Sequence, residues 1–474
     1  MTLEHATLPV PQFDQIQLPD LKQQIEQAIQ QGQHFLTTLT AVPSNFSAQL
    51  TLLDQVDQLE NNISECWGIL SHLNAVMNSA ETRELHQALL PALSEYYTQL
   101  GQHTLLYQSY QHIHDAAEFA TLSAAQQSAI KLALRDFKLS GVALEGATKT
   151  RYAEISARLS QLSSDFSNHV LDATQAYVKP LSDAQLKGLP VNSVELLKQY
   201  GQQHQLSQAA ATLDIPAYMA IMTYADDRDV RAELYKAYTT RASDQSEYPA
   251  FDNSQVMEEI LSLRQEMAQL LGFNNYAELS LASKMAPDVA TVEQFLIDLA
   301  EHARVPAEKE VAELKAIALA DGIGDLQPWD TGYYSEKLKV QQYNLSQEAL
   351  KPYFPAPKIL QGLFSIVNRL YGINVVERQA PVWQSDVRYF ELEEHGVVLG
   401  GFYFDLYARS GKRGGAWMSG FRSRMQTTAG LQKPICYMVC NFTPAVGTQA
   451  ALLSHDEVNT LFHEFGHGLH HMLT

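Results

Sequence analysis

Apolar residues along most of this chain return every three or four positions, the spacing that gathers them on one face of an α-helix. Ile155, Leu159, Leu162, Phe166 and Val170 form the cleanest stripe, at steps of four, three, four and four. Ile25, Ile29 and Phe35 to Leu39 open a similar pattern, and Ile130, Leu134 and Phe137 continue it. The opposite faces are rich in Gln and Ser, as solvated helix surfaces are. Pro, Gly or Asp interrupts the pattern at 41–46, 178–192 and 323–331. No fixed-period repeat emerges, and the register of small and aromatic residues that a tetratricopeptide array requires is lacking.

The period changes after Val382. Val387 to Leu392, a turn at Glu393 to Gly396, and Val397 to Tyr407 predict a β-hairpin, with Phe402, Phe404 and Leu406 alternating against Tyr403 and Asp405. Ile435 to Phe442 predicts a third strand. An exposed strand edge pairs with an extended peptide backbone whatever its side chains. Pro434 to Phe442, ending in Asn441 and Phe442, is therefore a candidate peptide-binding edge, the alternative being a covered internal strand.

Helical spacing resumes at the end of the chain. Ser454 and Glu457 have the spacing of a capping box, and Val458, Phe462, Phe465, Leu469 and Met472 follow as a predicted buried stripe. On that wheel His463 and His467 face away from the stripe, so core packing does not account for them. Four residues apart, they lie one above the other and can converge on a single divalent metal ion. Glu464 is placed to hold a water as general base, and the pattern predicts metal-assisted hydrolysis. Gly466 costs about 1 kcal/mol inside a helix, which predicts a close approach at that position.

Two histidines leave a zinc site one protein donor short. His470 lies about 10 Å along the axis from His463, too far for bonds of about 2 Å. The longer pattern with a third histidine after a glycine turn needs glycine at 470 and histidine at 473, where this chain has His470 and Leu473. A carboxylate from a following helix is the better expectation. The third metal ligand is then not present in the chain, and the sequence is expected to be a fragment.

GKRGG at 411–415 superficially suggests a phosphate loop. Its order is wrong, because such a loop ends in Gly-Lys followed by Ser or Thr and leads into a helix. A loop carrying Lys412 and Arg413 fits better, and together with Arg409 these cations are candidates for a substrate carboxylate. The alternative is a solvated turn. Of 22 tyrosines, none is singled out as catalytic.

Composition restricts the setting. A chain of 474 residues with 46% hydrophobic residues is long enough for more than one lobe. The net charge of −20 provides no basic surplus for phosphates, which excludes nucleic acid as the expected partner. The first residues have no basic stretch followed by an apolar run, and no segment approaches 18 apolar residues, so neither secretion nor a membrane partner is expected. Cys66, Cys436 and Cys440 read as small buried hydrophobes in a reducing compartment.

The stretch FHEFGHGLHHMLT, with LLSHDEVNTL, PICYMVCNF and GFYFDLYARSGKRGGAWM before it, resembles the thimet oligopeptidase family of zinc metallopeptidases. WDTGYYSEKLK at 329–339, LGFNNYAELSLASKMA at 271–286 and RDFKLSGVALEG at 135–146 extend the resemblance over essentially the whole chain. It implies one zinc ion held by His463 and His467, Glu464 as the base that passes its proton to the leaving amine, and a third-ligand glutamate on the next helix. It also implies a deep channel that admits short peptides and excludes folded proteins.

The expected fold is mainly α, a two-lobed helical bowl with a small β-sheet beside the metal helix. Residues 1–150 are expected to form an N-terminal helical domain, 151–220 a helical connection in the channel wall, and 221–474 an incomplete catalytic domain. The expected function is that of a monomeric cytoplasmic zinc endopeptidase acting on short unfolded oligopeptides. The alternatives are a dipeptidyl carboxypeptidase of the same family and a non-catalytic peptide-binding fragment.

Overall fold

Helices account for most of the computed structural model, which describes residues 3–427, 429–445 and 450–474. The first six are α1 (Leu18–Thr38), α2 (Phe46–Val76), α3 (Ala80–Gly101), α4 (Thr104–Asp115), α5 (Ala124–Leu139) and α6 (Gly146–Ala176). The break expected at 41–46 ends where the Asn45 side chain accepts the Ala48 amide at 2.8 Å and caps α2. Ile25 and Ile29 of α1, Ile63 and Leu70 of α2 and Leu93 of α3 bury one another in a helical core. In α6 the predicted stripe is sorted by depth: Ile155 and Leu162 are fully buried against Leu263, with Leu159 at the margin.

Short strands β1 (Val178–Pro180) and β2 (Ala210–Thr212) pair antiparallel around α7 (Val191–Gln203). Then come α8 (Ile215–Tyr224), α9 (Arg228–Thr239), α10 (Ser254–Leu270), α11 (Tyr276–Leu281), α12 (Val289–Ala320), α13 (Pro328–Tyr343), α14 (Gln347–Leu350) and α15 (Ala356–Tyr371). Helix α13 begins inside the break expected at 323–331, because Pro328 suits a first helical turn. Asp330 in that turn binds Arg228 and the buried Arg231, tying α13 to α9.

The predicted hairpin is present as β4 (Arg388–Glu394) and β5 (Val397–Tyr407), preceded by β3 (Asn374–Arg378). Its two-residue turn carries positive φ at His395 (50°) and Gly396 (79°), the backbone of a tight hairpin turn. After β6 (Trp417–Arg422), the small pair β7 (Met425–Thr427) and β8 (Gly430–Gln432), and β9 (Ile435–Phe442), the chain ends in α16 (His455–Leu473).

Among the described residues the main sheet has five strands in the order β3-β4-β5-β9-β6. Strand β9 is parallel to β5 and antiparallel to β6, so of the two readings of Pro434 to Phe442, a peptide-binding edge or a covered internal strand, the internal strand is the one present. Its run Ile-Cys-Tyr-Met-Val-Cys is apolar on both faces, as a strand covered on both sides must be. One face, with Phe402, Phe404, Cys436 and Met438, packs on α15 and α16. The other, with Tyr403, Tyr437 and Val439, packs on Val76 of α2 and on Phe13. Burial pushes the Cys436 and Cys440 thiols well above their usual range, and all three cysteines are unpaired.

Candidate metal centre

Helix α16 starts as its sequence predicts. Ser454 Oγ accepts the Glu457 amide at 3.1 Å while Glu457 Oε2 accepts the Ser454 amide at 2.7 Å. The second carboxylate oxygen of Glu457 accepts the Thr443 amide at 2.7 Å, fastening the helix start to the chain leaving β9. This double use of Glu457 depends on a residue 14 positions away, so the capping box alone did not reveal it.

The buried face of α16 is Leu461, Glu464, Phe465, Gly468 and Met472. Phe462, predicted to lie in the stripe, is 37% exposed and turned outward with the histidines. Gly468 is the reason: a Cβ there would stand 2.6 Å from Met438 Sδ, so the helix seats this glycine against β9. The close approach expected at Gly466 is therefore made at Gly468. A Cβ on Gly466 would meet nothing within 4 Å among the described residues, and the surface between the histidines is bare.

On that bare surface the Nε2 atoms of His463 and His467 stand 3.1 Å apart, with ring centroids at 4.7 Å and planes at 85°. Two imidazole nitrogens bound tetrahedrally to one zinc at about 2.0–2.1 Å would be separated by roughly 3.3 Å. The pair thus fits two ligands of a shared ion. Among the described residues no group of three or more His, Cys, Asp or Glu gathers for a metal. Glu464, 7% exposed, lies toward β9, close enough that its charge contributes to the raised Cys440 thiol after burial itself. His470 is exposed, and His471 is occupied, with Nε2 3.0 Å from the Arg422 carbonyl.

Two of the three cations between β5 and β6, Arg409 and Lys412, point inward. Lys412 Nζ donates to Asp405 Oδ1 at 2.7 Å and to the carbonyls of Asp405, Tyr407 and Cys440 at 3.0, 2.8 and 2.5 Å. Arg409 grips both Asp405 oxygens at 2.6 and 2.7 Å and donates to the Val76 carbonyl at 2.8 Å. Burial pushes the Lys412 ammonium down to about 8, with Asp405 opposing it. Burial also works to raise the Asp405 carboxyl, yet Arg409 and Lys412 hold it below the usual range. Lys412 Nζ and the terminal nitrogens of Arg409 are thus bonded within the fold, while the buried Arg409 Nε has no partner among the described residues. Arg413 is exposed, 5.6 Å over the Trp417 ring. Asn441 Nδ2 donates to the Arg413 and Gly415 carbonyls at 2.9 and 2.7 Å, pinning the loop.

Asn441 and Phe442 line a cavity of about 600 Å³ enclosed by α8, α13, the end of β9 and the start of α16. Its lining on α16 stops at Thr460, three residues before His463. Sequence patterning missed this cavity, although α8, Ile-Pro-Ala-Tyr-Met-Ala-Ile-Met-Thr-Tyr, is apolar nearly all round and so requires cover on more than one face.

The model of peptidase family M3 matches residues 221–474, more than half of the chain. This chain belongs to peptidase family M3. The N-terminal domain of neurolysin and thimet oligopeptidase matches residues 25–149. Among M3 relatives, oligopeptidase A of Escherichia coli K12 is 48% identical over 96% of this chain and 66% of its own length. Oligopeptidase A of Haemophilus influenzae is 45% identical over 98% of this chain and 69% of its own. Dipeptidyl carboxypeptidase of Escherichia coli K12 is 29% identical over 99% of this chain and 69% of its own. The chain spans about two thirds of the length of these curated relatives. The fold is similar to that of PZ peptidase A with inhibitor 2, with a TM-score of 0.51 at 15% identity, covering 96% of this chain and 64% of that one.

Proposed function

We propose that this M3 chain is a zinc-dependent endopeptidase that cuts internal bonds of short unfolded oligopeptides, with its chemistry in residues 221–474 and its place of action the cytoplasm. Residues 1–150 would form the N-terminal helical domain and 151–220 the connection between them. The observation that carries this reading is the convergence of His463 and His467 at 3.1 Å on the open side of a helix that also holds Glu464.

His463 and His467 would hold the metal through their Nε2 atoms. Zinc there would supply Lewis acidity for the scissile carbonyl and a water whose pKa falls toward about 7. Glu464 would take up a proton on a carboxylate oxygen and return it to the leaving amine. Its side chain, packed at the junction with β9, pays little ordering entropy to keep that position. Backbone recognition shifts from β9 to β6, which among the described residues pairs in the main sheet with β9 alone. A catalytic zinc set takes three protein donors, so the zinc affinity of the 474-residue chain is itself informative.

Endopeptidase action is favoured over removal of C-terminal dipeptides because identity to oligopeptidase A, 48%, far exceeds the 29% to dipeptidyl carboxypeptidase. The test pairs zinc stoichiometry with mass analysis of products from a fluorogenic peptide blocked at both ends. Internal cleavage that stops on zinc removal and returns on its addition is expected. Cleavage indifferent to zinc, or release of C-terminal dipeptides only from unblocked peptides, would overturn the proposal.

A further inference from the structure

We propose that His471 and Arg422 are positioning residues for a bound peptide: they pin the edge strand β6 to the metal helix and to α2, and so set which bond of the peptide lies over His463 and His467. The proposal rests on the reading of β6 as the peptide-binding edge and specifies what holds that edge in register.

His463, His467 and His471 follow one another at steps of four, a single ridge along α16. The first two converge at their Nε2 atoms. The third, one turn further and about 6 Å along the axis from His467, reaches the sheet instead. Its Nε2 stands 3.0 Å from the Arg422 carbonyl, and since a carbonyl only accepts, that nitrogen carries the proton. Gly420 makes the approach possible, because a Cβ there would stand 2.9 Å from His471 Cε1.

Strand β6 is irregular at this same place. Gly420 is paired with Cys436 and Arg422 with Ile435, which leaves Phe421 as the extra residue of a β-bulge. Phe421 is buried with Phe13, Val76 and Tyr437, on the face of the sheet away from α16. The Arg422 side chain grips both carboxylate oxygens of Glu65 on α2 at 2.7 Å and donates to the Pro9 carbonyl at 2.7 Å. Backbone and side chain of one residue thus tie β6 to the metal helix, to α2 and to the start of the chain. An edge strand has ladder bonds on one side only, and a peptide added to it inherits its position. A slip of two residues restores the same side-chain faces but moves the bond over the metal by roughly 7 Å, far beyond what the reaction tolerates. His471 and Arg422 act through β6, not on the substrate.

The test uses the full 474-residue chain loaded with zinc, an end-blocked peptide with one favoured cleavage bond, and a reduced-amide form of that peptide that cannot be cut. His471→Leu fills the space and removes the donor, His471→Gln restores a donor at similar reach, and Arg422→Gln releases α2. Per zinc bound, His471→Leu and Arg422→Gln should lower kcat at the favoured bond by about 10- to 100-fold with KM changed less than about threefold, and new cuts should appear two residues away. His471→Gln should stay within about threefold of the parent in kcat. Loss of folded protein alone would leave the ratio of cuts unchanged. Hydrogen exchange supplies a readout without turnover: the reduced-amide peptide should slow exchange of the Met418 to Arg422 amides in the parent and in His471→Gln at least about tenfold more than in His471→Leu. Unchanged cut positions and unchanged protection in His471→Leu and Arg422→Gln overturn the positioning role and leave the peptidase reading intact. A His471→Gln protein as impaired as His471→Leu overturns the hydrogen bond as the pin. Protection that depends on His471, with no cleavage by the parent, overturns the peptidase reading and keeps the positioning role in peptide binding. Neither cleavage nor protection in the parent overturns both.

Discussion

ARSGKRGG at 408–415 and LFHEFGHGLHH at 461–471 are two stretches that the sequence marks as candidate chemistry, and their surroundings differ in one decisive respect. In the first, Asp405, three backbone carbonyls and the Val76 carbonyl take up Lys412 Nζ and the terminal nitrogens of Arg409. In the second, His463 and His467 face outward, with only each other's Nε2 within hydrogen-bond reach among the described residues. Charge in the first region holds the β5–β6 loop and the end of α2 together. Charge and lone pairs in the second are left free to act. A polar side chain is available for chemistry only where the fold has not already satisfied it.

The sharpest way to break this contrast is at Glu464. Glu464→Gln keeps shape and removes the base, so turnover should fall by at least about a thousandfold with bound zinc unchanged. Retention of near wild-type cleavage would exclude Glu464 from proton transfer. In the other region Asp405→Ala should leave activity to be judged on folded protein, but should cost about 3–5 kcal/mol in urea unfolding, because it strands two cations in the interior. A cost under about 1 kcal/mol would mean that the network is not structural.

His72 extends the same comparison to pH. It stacks on Tyr437 at 3.7 Å, and burial, reinforced by Arg409 and Lys412 against the pull of Asp405, holds it down to about 3 from an ordinary 6.5. Between those values the unfolded chain binds a proton that the folded chain refuses. Its contribution is therefore complete above the ordinary value and lost as pH falls through the window, at up to about 1.4 kcal/mol per pH unit. Unfolding free energies at pH 7, 5.5 and 4.5 should show this slope in the parent and a shallower one in His72→Phe; equal slopes would mean that His72 is not buried in the neutral form. The smallest effects are at two glycines. Gly468→Ala should destabilise by about 1–3 kcal/mol through its clash with Met438. Gly466→Ala should stabilise by up to about 1 kcal/mol, since its Cβ meets open space. Reversal of that order in thermal unfolding would place the buried face of α16 elsewhere.

Much of the fold was legible in the sequence where the signal is local. The bounds of β5 and β9 and the capped start of α16 follow from alternation and from side chains a few residues apart. The candidate site was legible in part. A helical wheel fixes the angles between residues but not which direction faces the core, and for that reason Phe462 was assigned to the buried stripe and Gly466 was mistaken for the contact made by Gly468. The inward bonding of Arg409 was not legible for a different reason: one of its partners, the Val76 carbonyl, is 333 residues away.

From the sequence alone came the helical class, the i and i+4 histidines with Glu464 between them, and the strands beside them, because caps, periods and spacings act over one or two turns. Only tertiary structure decided that β9 is internal, that Lys412 and Arg409 are consumed inside the fold, and that α8 turns an apolar stripe toward the start of α16. Those outcomes depend on which distant surface arrives to satisfy a backbone edge, a charge or an apolar face, and no local pattern encodes the arrival.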